Sequence, residues 1–249
     1  RAYLGAPFNC FVETYSLGLC TYHDTGLVNV GFFTRVNTEG HNLSSGQIAN
    51  FCAVYYPTTG WQSLGTGNEN GVNHLTVHCT QFRNDLYVTG QFTSAGGSPA
   101  NRIAKFDGNS WLPLGTGLND VGTFLFNDGD SILYIGYMGT SAGGIKSNHI
   151  VKFNGAEYTP MGAGASYTVW AIVRFGNDII VGGDFAEAGG VTANRVAKWD
   201  GKQWSDFGSG PGIGFDDGRV FVLQIINGEL YAGGTFTKIN NGTKCIGVV

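Results

Sequence analysis

One motif returns along the chain and limits what it can fold into. Residues 86–117 read LYVTGQFTSAGGSPANRIAKFDGNSWLPLGTG, and 179–210 read IIVGGDFAEAGGVTANRVAKWDGKQWSDFGSG. A weaker copy at 133–164 reads LYIGYMGTSAGGIKSNHIVKFNGAEYTPMGAG. Anchored on the Ala-Gly-Gly loop, Gly96, Gly143 and Gly189 lie 47 and 46 residues apart. Degraded copies flank them. Upstream, Phe33 and Asn37 align with Phe92 and Gly96; downstream, Phe236 and Asn240 align with Phe185 and Gly189. The outer periods are 59 and 51, so the extra length is expected in loops.

Each copy reads as four short strands. Apolar runs such as 169–175 and 220–226 give the first, and Leu-Tyr-Val or Ile-Ile-Val gives the second. The third runs Arg102–Phe106 or Arg195–Trp199 and alternates polar with apolar. Asp107-Gly108, Asn154-Gly155 and Asp200-Gly201 favour positive φ and read as hairpin turns. Trp111, Tyr158 or Trp204 opens the fourth strand, where it is expected to fill the core between sheets. No helical periodicity of useful length appears. A strand-rich repeat of roughly 40–50 residues is the signature of a β-propeller, because a lone four-stranded sheet cannot bury both faces.

The expected fold is therefore all-β, a five-bladed β-propeller of four-stranded blades in one domain. The blades are expected at about 12–67, 72–117, 121–164, 167–210 and 219–249. The last copy stops at Val249 after its third strand, while Leu4-Gly5 repeats the Leu114-Gly115 step. Residues 1–6 are therefore expected to complete the last blade and close the ring, although Arg1 falls where Trp111 would.

The order of apolar strand, Gly-Gly, loop, third strand, Asx-Gly turn and Trp resembles a kelch-type β-propeller. The fuller string, LYVGGxFxxAGGxxANRxAKxDGxxW, is similar to repeats of secreted or cell-surface propellers of bacteria and fungi, including the ectodomain of fungal cortical polarity markers. The resemblance covers nearly the whole chain. It implies the fold and a secreted or extracellular setting, and it says little about activity, since propellers host many.

Composition narrows the function classes. Gly is 41 of 249 residues, about twice the usual ~7%, and charged residues are 13% against ~25%. This describes a turn-rich β protein with a lightly charged surface. A net charge of −4 argues against nucleic acid, which needs a basic footprint. No run approaches ~18 apolar residues, so no membrane span is expected.

Cys10, Cys20, Cys52, Cys79 and Cys245 fall in the first, second and last copies and show no Cys-x-x-Cys spacing. In an oxidising compartment they read as disulfides near the closure: Cys20–Cys79, with Cys10–Cys245 or Cys10–Cys52. The alternative is buried free thiols, and the odd count leaves at least one unpaired or bonded to another chain. Asn42 and Asn241 begin N-glycosylation sequons in the loops between second and third strands.

Candidate partner loops are Asn101-Arg102, Asn148-His149 and Asn194-Arg195, with Tyr55 and Tyr56 in an inserted hairpin. The Asn and Arg side chains serve either turn amides and neighbouring acids or equivalent sugar sites. The first and last copies are read as lacking this pattern. His74 and His78 are read on one strand, about 13 Å apart at ~3.3 Å per residue, too far for one metal ion. Asn127–Asp130 reads as a turn rather than a calcium loop, since the later bidentate Glu is missing.

The first strands read YSLGLC, NHLTVHC, TFLFN, VWAIVRF and VFVLQII and hold no Asp or Glu. A glycosidase needs two facing carboxylates, and only Glu13, Asp120 and Asp216-Asp217 lie nearby. No nucleophile, phosphate-loop or zinc signature appears. The expectation is a non-catalytic module without cofactor or metal, serving an extracellular protein or glycan partner or self-assembly. A carbohydrate-binding lectin is the alternative, and a glycan-processing enzyme a remote one.

Overall fold

The computed structural model describes residues 15–36, 47–207, 214–215 and 218–238. Four antiparallel four-stranded sheets follow one another, with strands in sequence order across each sheet. The first comprises Tyr15–Tyr22, Gly26–Phe32, Cys52–Tyr56 and Gly60–Ser63. The second comprises Thr76–Phe82, Asp85–Gly90, Ile103–Phe106 and Trp111–Pro113. The third comprises Gly122–Asp128, Ile132–Tyr137, Ile150–Phe153 and Tyr158–Pro160, and the fourth Val169–Phe175, Asp178–Gly183, Val196–Trp199 and Trp204–Asp206. A fifth hairpin pairs Val220–Ile226 with Glu229–Gly234. The chain divides into two compact units, 1–130 and 131–249.

The local chemistry explains the strands. Second strands such as 85–90 and 178–183 are buried on both faces, so they read as continuous apolar runs rather than alternating ones. At the third turn, Asp107 Oδ1 accepts the N–H groups of Asn109 (2.9 Å) and Ser110 (2.7 Å). Asp200 does the same for Lys202 and Gln203, both at 2.8 Å. These donors hold both carboxyls below the usual range. The glycines that follow, Gly108 and Gly201, sit at φ 97° and 100°.

A bulge recurs near the start of the first strand, between Ser16 and Gly18, Thr76 and His78, Val169 and Ala171, and Val220 and Val222. Several expectations shift by a residue or more. The third strands begin at Ile103 and Val196, not at Arg102 and Arg195, because both arginines have positive φ (62° and 74°) and cannot enter a strand. Cys79 lies in mid-strand rather than at a strand end, and His74 precedes the strand that carries His78.

In the first unit, Val28, Val30, Cys52 and Val54 of the first sheet share a core with Cys79, Leu86, Val88, Ala104, Phe106 and Trp111 of the second. In the second unit, Ala171, Ile180 and Val196 pack with Val220, Leu223 and Phe236. Fourth-strand tryptophans pin neighbouring sheets. Trp111 Nε1 donates to Leu64 O (2.8 Å), and Trp204 Nε1 donates to Met161 O (2.7 Å).

Candidate functional site

The repeated Asn residues form a clasp within each sheet, through side chain and carbonyl in the second and third and through the carbonyl in the fourth. Asn101 Nδ2 donates to Thr116 O (3.0 Å), and its own carbonyl accepts Leu118 N–H (3.0 Å). Asn148 repeats this with Ala163 O (2.8 Å) and Ala165 N–H (3.1 Å). The Asn194 carbonyl accepts Phe215 N–H (2.9 Å). The clasp ties the approach to the third strand to the exit from the fourth.

The first sheet keeps it too. Asn50 Nδ2 reaches Asn68 O and Asn70 O, both at 2.8 Å, and Asn50 O accepts Val72 N–H at 3.2 Å. The reading that the first copy loses this Asn is therefore corrected. Ala49-Asn50 matches Ala100-Asn101, and only the following Arg is replaced, by Phe51 at φ 61°.

The Arg positions are also engaged by backbone. Arg195 donates to Gly218 O (2.9 Å) and Asp184 O (2.8 Å), and Arg102 reaches Leu118 O at 3.5 Å. His149 takes the same place at φ 62°. The ion pair with Asp184 comes instead from Arg219, at 2.9 Å.

A groove of about 330 Å³ opens in the first unit, lined among others by Tyr22, His23, Tyr56, Gln62, Ser63 and Asn109. His23 stacks on Tyr22 at 3.9 Å between ring centroids. Burial, with Tyr56 and Asp85 nearby, pushes the Tyr22 phenol up to about 12, so it stays protonated at any physiological pH. Tyr55 turns away from this groove to the other face of its strand, 5.5 Å from Trp61, so the two tyrosines form no single patch.

Cys20, Cys52 and Cys79 are free thiols, and the Cys20 and Cys79 side chains are in hydrogen-bond contact. Burial pushes the Cys52 and Cys79 thiols up, which disfavours thiolate chemistry at both. Cys10, Cys245, Asn42, Asn241, Glu13, Asp216, Asp217 and residues 1–6 lie outside the described residues. Among the described residues, no three His, Cys, Asp or Glu side chains are grouped to hold a metal ion, and no helix is long and apolar enough to cross a membrane. Asn127 and Asp130 hydrogen-bond each other in a turn, which Arg83 N–H joins at 2.8 Å.

One surface departs from the repeat. Leu19 pairs with Asn29 as Cys79 pairs with Val88, Ile172 with Val181 and Leu223 with Ala232. Cys79, Ile172 and Leu223 are 1%, 2% and 7% exposed, whereas Leu19 is 46% exposed. Tyr15, Leu17 and Phe32 beside it are exposed too. In the last hairpin, Val222, Gln224, Ile226 and Tyr231 are likewise exposed.

Residues 84–110, from the second strand of the second sheet to its Asx-Gly turn, match a family described as a domain of unknown function (DUF5122) beta-propeller. The fold is a β-propeller. No curated protein matches the chain. Among solved structures, the WD40 beta propeller domain of Doa1 is similar at 11% identity, with 90% of each chain covered and a TM-score of 0.39. Among the described residues, the groove at Tyr22 and the exposed face at Leu19 lie apart from these clasps and tryptophan pins.

Proposed function

We propose that the chain is a non-catalytic, kelch-like propeller of the secreted or cell-surface kind, acting as a rigid interaction module outside the cell. The observation that carries this reading is the engagement of the repeated Asn and Arg side chains by backbone groups. Repeated polar loops that look like binding loops instead hold the scaffold, as a module presenting a fixed surface requires. In the oxidised setting, Cys20 and Cys79 form the bridge between first and second sheets, and Asn42 and Asn241 carry glycans.

The same proposal includes five blades and a closed ring. Five first-and-second-strand hairpins support the count. In this reading residues 1–6 complete the last blade.

Intact mass of natively sourced protein tests the setting. The reading expects hexosamine-bearing mass lost on deglycosylation and hydrogen mass gained on reduction. An unmodified chain with every thiol free contradicts it.

The groove favours a lectin as the second reading, because stacked aromatic rings beside amides and hydroxyls suit a sugar. Glycan-array binding that is competed by simple sugars and lost in Tyr56→Ala supports the lectin. Array silence returns the groove to a protein partner.

A further inference from the structure

One hydroxyl of the first unit is buried and unused. Tyr22 is 2% exposed and its ring is fixed in the core shared by the first two sheets, yet its Oη has no hydrogen-bond partner among the described residues. A buried donor left unmade gives up its bond to water and receives nothing in return. The fold does not ask for this hydroxyl. By register Tyr22 ends the first strand as Phe82 and Phe175 do in the second and fourth sheets, and those rings carry no polar atom.

The hydroxyl stands at the wall of the groove that Tyr22, Tyr56 and Asn109 line. A Cβ built on Gly108 would lie 3.7 Å from Tyr22 Oη, with no other described atom within 4 Å beyond Gly108 and its two chain neighbours. Gly108 has no side chain, so the turn leaves open the space that the hydroxyl faces. Burial, then the nearby Tyr56, Asp85 and Asp107, keep the phenol protonated, so the group on offer is a neutral O–H.

The rest of the lining limits what can meet it. None of the described lining residues is Lys, Arg, Asp or Glu, so a charged ligand would lose water without gaining a counter-ion from them. His23 spends its Nε2–H on Asn84 O at 2.9 Å. Asn109 Nδ2 donates to Ser110 Oγ (3.1 Å) and Gln62 Nε2 to Thr59 Oγ1 (2.9 Å), which leaves both amide oxygens to accept. A ligand rich in hydroxyl groups matches one donor beside two acceptors. At about 330 Å³ the groove lies at the small end of ligand clefts, ~300–1,000 Å³, with room for one sugar ring rather than a chain.

We propose that the groove holds one uncharged, hydroxyl-rich ring, a neutral hexopyranose residue, with a ligand oxygen accepting the Tyr22 Oη–H. The inference rests on the lectin reading above and adds the class of sugar and a residue that selects it.

NMR titration of the full chain with the methyl glycosides of glucose, galactose and mannose tests it, each beside the uronide of the same sugar. At least one neutral glycoside binds, and its uronide binds about tenfold more weakly or worse, because its carboxylate meets no cation. Tyr22→Phe weakens the neutral glycoside about fivefold to tenfold, the size of one ordinary hydrogen bond, and leaves or raises the unfolding midpoint of the empty protein. A purely structural hydroxyl would do the reverse, and a lowered midpoint with unchanged binding overturns the proposal. If Tyr22→Phe fails to fold, the ¹³C-labelled Tyr22 Cζ resonance of the unaltered chain decides. A shift at saturation supports the contact, and no shift removes it.

The lectin reading is separated by its own controls. Binding lost in Tyr56→Ala but unchanged in Tyr22→Phe, or equal binding of the uronide, overturns this proposal and keeps the lectin. Glycan-array binding without binding of any methyl glycoside does the same. Silence toward both arrays and glycosides overturns the two together.

Discussion

The first and second sheets are built from the same repeat, yet their leading faces differ. On the second, Cys79, Val88 and Ala104 are buried against the first sheet, and Trp111 has its acceptor in Leu64. On the first, Leu19 is exposed and Trp61 has no acceptor. The clasp at Asn50 matches the clasp at Asn101, so the sheets do not differ in internal construction. A sheet of this kind is complete inside but needs from its neighbour both apolar cover and one backbone carbonyl.

The largest expected effect tests whether the clasp is shared. Gly71 and Gly117 sit at φ 71° and 72°, and an added Cβ would lie 2.2 Å from the carbonyl oxygens of Asn50 and Asn101 respectively. Gly71→Ala and Gly117→Ala should each cost about 3 kcal/mol in denaturant unfolding, by combined strain and lost clasp. A loss confined to Gly117→Ala would mean the first sheet is weaker inside, not merely uncovered.

Next is pH. His78 stands on the second sheet where Gly18 stands on the first. Its ring lies 4.2 Å from Phe124, and its Nδ1 faces Leu125 N–H at 3.4 Å, a contact only the neutral ring can accept. Burial lowers its pKa to about 4, while the unfolded value is near 6.5. The unfolded chain therefore takes up the proton first. Stability contributed by neutral His78 is full above pH 6.5, falls as pH drops toward 4, and levels below that. The loss should reach about 3 kcal/mol at most, and His78→Gln should flatten that part of the stability curve.

Smaller still is the indole series. Trp111→Phe and Trp204→Phe keep an aromatic ring but remove the indole donor to Leu64 O and Met161 O, which still accept Gly71 N–H and Gly164 N–H, and should cost about 1 kcal/mol each. Trp61→Phe should be neutral or stabilising, since its indole donor has no partner to lose. The smallest effect belongs to Lys105–Asp85, a partly exposed pair at 2.5 Å. There Lys105→Met should change stability by less than ~1 kcal/mol.

Much of the scaffold was legible because its signals are local. The Asx-Gly turns announce themselves through Asp107 and Asp200, and the double-sided burial of 85–90 through an unbroken apolar run. The third-strand starts were misplaced because Arg102 and Arg195 adopt positive φ, which their residue type does not advertise. The bulges escaped notice because the skipped residues, Leu17, Val77, Trp170 and Phe221, share no side chain. The Asn50 clasp had a signal, the Ala-Asn pair at 49–50, which the missing Arg obscured. The groove had none, since it joins residues as far apart as Tyr22 and Asn109.

The account of how the first and second sheets pack is tested most directly by one crosslink within the first unit. Cys20 of the first sheet and Cys79 of the second are in hydrogen-bond contact. With Cys10, Cys52 and Cys245 replaced by Ala, Cys20 and Cys79 should oxidise to an intrachain disulfide in a monomer. No crosslink, or crosslinked dimers alone, would contradict the packing of the second sheet's leading face on the first.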